Sequence, residues 1–380
     1  MCLLIMLFDW ALISLKPLRF FDVTEFVPLD QNPLVEKLQS FLQDKTADPD
    51  VIVLGSSLML FPSVRLDEQL SGKRHRYDKW FIRHKVSGHL TPRWFEQVTT
   101  RLAGAPVKIV NLGVQGSIVS DQYLILRKSL ECGKKPSVVV LELAPRSFLD
   151  NMHKQIDNTP PHQVLADYTM LPDVFSRGLS ITQLKAALPG MMWHYYKVRA
   201  DYRELIANIF TSSLNRPMND WEASHGIRRQ PLKSAFNPEM EWESCYSPLY
   251  PKYHDLEMYQ SIYNPPDEAF FRAEMADCIR LCELAAAHGT KLIIADMPVS
   301  EKNIALLSPD YLDRYRRFID ALGQRPELAV LRLSADQSFL EEDFEDSAHL
   351  NAAGGGKLFR ALAYCVAPHC AKRAIAASGR

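Results

Sequence analysis

Long apolar runs, paired cysteines and an excess of charge are what this sequence is short of, and each shortage removes a class of function. Beyond Lys16 no stretch reaches the roughly 20 apolar residues of a membrane-crossing helix, so that part of the chain reads as soluble. Seven cysteines, at 2, 132, 245, 278, 282, 365 and 370, are odd in number and lack metal-ligand spacing. They fix neither redox compartment nor a metal site. A formal net charge of −1 gives no overall attraction to nucleic acid or anionic lipid. His84, His89, His153 and His162 show no His-x-x-x-His spacing and read as surface or packing residues. Gly354 to Gly356 are not followed by Gly-Lys-Ser/Thr, so they read as close packing at a helix start rather than a phosphate loop. Neither a metal nor an organic cofactor is called for.

What is present is an ordinary folded composition, 47% apolar and 23% charged over 380 residues, enough for a substantial core in one large domain or two. Residues 1–16 are strongly apolar but carry Asp9, have no Lys/Arg-rich start and lead into no Ala-x-Ala-like cleavage site. Two readings stand: a membrane anchor or signal-anchor remnant, and a helix packed on the domain or lying in an interface.

After a short helix at 33–43, Val51 to Leu54 is a continuous, β-branched apolar run, the pattern of a strand buried on both faces. It ends at Gly55, which places Ser57 on a strand-to-helix turn. Residues 62–93, rich in charge and aromatics, read as a solvated excursion, with a nucleic-acid patch the weaker alternative. A helix is expected over 91–102, with Thr91-Pro92 as cap and first-turn proline. Strands over 107–110 and 137–143 flank a helix over 119–132, and both run into small or polar residues. Residues 155–266 break this rhythm with recurrent prolines and aromatic helical patches. That is too long for an unstructured loop, so an inserted helical subdomain or cap is expected, its aromatics forming a packing seam. The rhythm returns with helix 267–288, strand 290–295 ending at Asp296, helix 311–322, strand 328–333 and a closing helix over 352–366. Strands joined by helical crossovers argue for a parallel α/β sheet. The expected divisions are 1–16, a first core part 17–154, the insertion 155–266, a second core part 267–371 and a fraying tail 372–380.

A serine nucleophile needs a base in hydrogen-bond reach, a carboxylate orienting that base, and donors for the oxyanion of acyl transfer. Ser57 can attack, His349 can take its proton, and Asp346, three residues before the histidine, can orient it. Plainer roles stand beside these: Ser57 as a turn or cap serine, Asp346 as N-cap of the closing helix with His349 in its first turn. Asp296, at a strand's carboxyl end, is a candidate site wall.

With Gly55-Ser56-Ser57-Leu58, Asn111-Leu112-Gly113-Val114-Gln115-Gly116 and Asp346-Ser347-Ala348-His349-Leu350-Asn351 in this order, the chain resembles the SGNH or GDSL-like hydrolase superfamily over 50–152 and 268–365. The resemblance implies a flavodoxin-like, three-layer α/β/α fold with a five-strand parallel sheet ordered 2-1-3-4-5. It implies Ser57, Asp346 and His349 as the catalytic set, with oxyanion donors at the Ser57 and Gly116 backbone. Two departures stand out. Serine 56 replaces the family's usual aspartate, and Ala144-Pro145-Arg146-Ser147 stands where Gly-x-Asn-Asp is usual. Arg146 would then donate to the oxyanion or bind an anionic substrate group, with Asn151 folding back as a further site-wall candidate beside Ser56. The apolar N-terminus, the Gly-Ser-Ser block and the insertion most resemble the membrane-associated bacterial branch that includes DltD and polysaccharide O-acetyl-handling proteins. That branch implies an esterase or O-acyltransferase acting on an acylated small molecule or glycan of the cell envelope, with no nucleic acid as partner. It also implies membrane association through residues 1–16 and an outward-facing location, while leaving the cytoplasm open. The alternative is a catalytically inactive binding or assembly protein for envelope polysaccharide.

Overall fold

Residues 2–15, 33–72, 88–149, 159–176, 181–199, 202–203, 206 and 255–378 are described by a computed structural model. Five parallel strands form its centre: β1 (Val51–Leu54), β2 (Ile109–Asn111), β3 (Val138–Leu143), β4 (Lys291–Asp296) and β5 (Leu328–Arg332), in the order β2-β1-β3-β4-β5. This is the α/β architecture and strand order expected from the sequence. The unbroken apolar runs of β1 and β3 are buried along their whole length, as strands covered on both faces must be, whereas β5 at the edge is only half-buried.

Strand order reverses between β1 and β3. Right-handed crossovers therefore send the first connection to one face and the later ones to the other. Helices Ser57–Ser71, Arg93–Ala103 and Ala352–Ser378 pack together as one layer; Val119–Glu131 and Glu268–Ala287 pack on each other as the opposite one. A crevice opens at the carboxyl ends of the strands beside such a reversal. Register sharpens this: Leu54 pairs with Leu141, so Glu142 stands alongside Gly55, one residue beyond β1.

Several boundaries differ from expectation for physical reasons. Helix Ser57–Ser71 runs through Pro62 and buries Val64 and Leu66, so the first part of the expected solvated excursion is core. The nucleic-acid reading of that stretch rests on 74–85, and 73–87 lie outside the described residues. Helix Arg93–Ala103 is not capped by Thr91; the N–H groups of Arg93 and Trp94 donate to the Asp67 carboxylate, at 2.9 and 2.7 Å, and Pro92 only marks the cap position. The closing helix continues to Ser378, through most of the stretch expected to fray. Between β3 and β4 the described residues include helices Pro160–Leu165, Leu171–Ser176, Ile181–Met192 and Leu256–Tyr263.

Candidate functional site

The turn after β1 is built by Ser56. Its backbone is extended (φ −98°, ψ −159°) and its Oγ accepts the Leu58 N–H at 3.2 Å, so it caps the helix that Ser57 begins. Ser57 is thus a first-turn residue whose N–H lies at the electropositive helix end. Below the turn, Ser56 donates its hydroxyl to Glu142 Oε1 at 3.0 Å and its N–H to Glu142 Oε2. Glu142 is fully buried in β3. Burial pushes its carboxyl up, against the opposing pull of the Ser56 N–H and the Arg146 charge.

Asp346 and His349 lie on a tight loop before the closing helix, not within it. Phe344 bridges Leu350, and Glu345 N–H donates to the His349 carbonyl at 2.8 Å. The closing helix is capped instead by Asn351, whose Oδ1 accepts from Ala353 and Gly354 N–H at 2.9 and 3.1 Å. Asp346 Oδ1 accepts the Ala348 and His349 N–H groups at 2.8 and 2.7 Å, while its Oδ2 lies 2.7 Å from His349 Nδ1. His349 Nε2 lies 2.8 Å from Ser57 Oγ. With a carboxylate facing Nδ1, the proton belongs there and Nε2 is left to accept from the serine hydroxyl. Burial alone would raise the Asp346 carboxyl; the facing His349 and the hydrogen bonds it receives reverse the sign and hold it below the ordinary carboxylate range.

Neighbouring groups fix this loop. Phe61, one turn after Ser57, lays its ring on the imidazole at 4.8 Å between centroids. Ser347 donates to Asp255 at 2.6 Å, its hydroxyl accepts from Asn303 at 2.9 Å, and its carbonyl accepts from Ser300 at 2.6 Å. The loop is thereby tied to the segment after β4 and to Asp255, at the start of helix Leu256–Tyr263.

On the side of Gly116, the loop after β2 is stitched to β1's end: Val114 N–H and Ser117 Oγ both donate to the Gly55 carbonyl, at 2.8 and 2.7 Å. Gly116 has φ +73°, a conformation that strains any residue bearing a Cβ. Buried Lys37, its ammonium depressed to about 7 by burial, donates to the Gly113 carbonyl of this loop at 2.9 Å. Arg146, on the 3₁₀ turn Pro145–Phe148 after β3, places Nη1 3.5 Å from Ser57 Oγ and 3.5 Å from the Tyr259 hydroxyl, at the outer limit of hydrogen bonding. Phe148, packed against Phe271, Tyr315 and Phe318, and a 2.7 Å bond from the Tyr311 hydroxyl to the Pro145 carbonyl hold that turn.

Of the residues singled out from sequence, the structure brings Ser57, Asp346 and His349 into one hydrogen-bonded chain, with Ser56 and Arg146 against it. Asp296 is engaged elsewhere, accepting from the Tyr315 hydroxyl at 2.5 Å and from Ser334, on the wall of a separate cleft of about 570 Å³. Asn151 and His153 lie outside the described residues. Among the described residues no group of His, Cys, Asp and Glu is placed to hold a metal ion. Glu142, Asp255, Tyr259 and Lys37 were not anticipated. Glu142 carried a signal, a lone charge inside an otherwise apolar central strand; the others are set by tertiary contacts alone.

No family model matches the chain and no curated protein matches it. Among solved structures it is similar to the crystal structure of TesA, at 12% identity over 84% of this chain and 98% of that one, with a TM-score of 0.35. So distant a likeness adds nothing to what the strand order and the site geometry establish by themselves.

Proposed function

We propose that the chain is a serine-dependent acyl-ester hydrolase or acyltransferase of SGNH type. The observation that carries this reading is the chain from Ser57 Oγ through His349 to Asp346, with contacts of 2.8 and 2.7 Å. These lie within the reach that proton transfer needs. Ser57 Oγ attacks the ester carbonyl carbon while its proton passes to His349 Nε2, and Asp346 stabilises the resulting imidazolium. The oxyanion is received by the N–H groups of Ser57 and Gly116, with Arg146 alongside as a charged donor. Collapse breaks the bond to the leaving alcohol, which takes the proton from His349. A second hydroxyl, of water or of a sugar, then attacks the Ser57 acyl ester, giving its proton to His349, and the acyl product departs as Ser57 is reprotonated.

The finer reading is an acyl group on a cell-envelope glycan, as in the DltD-like branch; the N-terminal apolar segment, the Gly-Ser-Ser block and the long stretch between β3 and β4 support it, whereas the altered third block favours a catalytically inactive binding or assembly protein. The test is covalent labelling by a serine-reactive fluorophosphonate, comparing the parent with Ser57→Ala and His349→Ala. Labelling in the parent and its loss in both variants is expected. A parent that stays unlabelled, or a Ser57→Ala variant labelled equally well, overturns the proposal.

A further inference from the structure

Helix Cys2–Leu15 places Leu4, Met6, Leu7, Trp10, Ile13 and Leu15 in solvent, with Leu4 71% and Leu15 67% exposed. At 100° per residue these positions spread over roughly 200° of the helix circumference. A groove on a protein partner receives a stripe nearer 100° wide, so a second protein, or a second copy of this chain, would leave much of the apolar arc in water. A surrounding apolar solvent would not.

The helix's one charged residue is turned away from that arc. Asp9 accepts the N–H groups of His194 and Tyr195 at 2.9 and 2.7 Å, while Leu12 is buried on the same side and Phe8 meets the Tyr195 ring edge-on at 5.8 Å. The segment it binds continues the apolar surface: Ile181, Met192, Trp193 and Tyr195 are all exposed, Ile181 by 72%. Residues 181–199 carry no carboxylate; Lys185 is exposed and Arg199 half-buried, while Lys197 turns inward and donates to the Ala166 carbonyl at 2.6 Å. Apolar side chains, tryptophan and tyrosine beside Lys185 and Arg199, with no carboxylate in the segment, have the chemistry of a surface that enters the headgroup boundary of an anionic bilayer.

We propose that residues 2–15 and 181–199 form one lipid-docking surface, held together by Asp9, that seats the protein on an anionic membrane. No described helix is long and apolar enough to cross a membrane; Asp9 joins the helix side-on to residues 194 and 195. The inference is independent of the reaction at Ser57.

The experiment is flotation of the full chain with vesicles of equimolar phosphatidylcholine and phosphatidylglycerol, and with phosphatidylcholine alone. The parent is expected to float with the mixed vesicles and less with the neutral ones. Trp10→Glu and Trp193→Glu, both at exposed positions, should each lower partitioning by roughly tenfold or more, the scale of burying one large apolar side chain. Circular dichroism and fluorophosphonate labelling of Ser57 check that each variant is folded, which separates failure here from failure of the hydrolase reading. A parent that does not float overturns the proposal, as does one that sediments as a dimer dissociated by Trp10→Glu without binding vesicles. If Trp10→Glu abolishes flotation while Trp193→Glu leaves it unchanged, the joint surface is refuted.

Discussion

Replacing Glu142 tests whether the nucleophile is aimed from below. Two donors of Ser56, the N–H and the hydroxyl, end on this one carboxylate in a site closed to water. Glu142→Ala strands both, at about 1–3 kcal/mol each for an unsatisfied buried donor, so about 2–6 kcal/mol before any cavity is counted. That approaches the whole stability of a small domain, and the alanine variant is expected to fold poorly. Glu142→Gln is the informative change: it keeps the shape and one acceptor but turns an amide NH₂ toward one of the two donors, costing about 1–3 kcal/mol. Misaim of Ser57 by about 1 Å is enough for roughly 10²-fold in rate. The expected outcome in urea unfolding and p-nitrophenyl acetate hydrolysis is a lowered midpoint, a kcat down by roughly ten- to a hundredfold and a nearly unchanged KM. Ser56→Ala should lower kcat in the same sense, and the two changes should be non-additive because they remove one shared contact. A Glu142→Gln variant with parental kcat per folded molecule would refute the positioning argument, even if its stability fell.

Two further outcomes separate roles within the site. If Arg146 serves the oxyanion, Arg146→Gln should cut kcat on neutral esters by roughly 10²–10³-fold with little change in KM; a loss confined to KM on acidic substrates would assign it instead to an anionic substrate group. Asp346→Asn should lower kcat by roughly 10²–10⁴-fold by favouring the wrong His349 tautomer. The same carboxylate sets an acid limit. Its pKa is depressed on folding, so its contribution to stability is present above the ordinary carboxylate range and is lost as pH falls through the depressed folded value. Asp346→Asn should therefore flatten the acid side of the stability–pH profile measured by chemical unfolding, and an unchanged acid limb would contradict the direction of that shift.

The sheet was legible because its strands are buried on both faces: Val51 to Leu54 and Val138 to Leu143 have no alternation to confuse with a helix, and each ends in small or polar residues. Boundaries slipped where a distant group decides them. Nothing local tells that Asp67 caps the helix at Arg93, or that Pro62 is accepted inside a helix. The Ser, Asp and His positions were legible because chemistry demands those residue types and order alone could align them. Arg146 was visible only as a departure from an expected block. Tyr259 and Asp255 reach the site from helix Leu256–Tyr263 and its cap, a placement set by long-range packing. Asp296 illustrates the converse: its position at a strand end suggested a site wall, but Tyr315 and Ser334 draw its carboxylate into a different cleft.

Ser57 and His349 are 292 residues apart in sequence, and a 2.8 Å contact between them demands that two helix starts be held in register. The packing shows how the Gly-rich run contributes. A Cβ on Gly355 would sit 3.0 Å from Pro62 Cβ and 3.1 Å from the Pro62 carbonyl oxygen, so the closing helix approaches the Ser57 helix at backbone distance. The approach falls on buried Pro62, where the Ser57 helix lacks an N–H. Two turns past Ser57, Arg65 reaches back to Glu345, the residue before Asp346, through Nη2 at 2.8 Å and Nε at 3.3 Å. Burial raises the Glu345 carboxyl to about 7 although Arg65 pulls the other way. That ion pair therefore acts more as a geometric tether than as a source of stability, the usual balance for a pair drawn out of water. Close helix contact on one side of Ser57 and a tether to the residue before Asp346 on the other leave the His349 loop little room to slide. The 344–350 loop can stay short, and the acid–histidine spacing works, because alignment is supplied by the helices behind it.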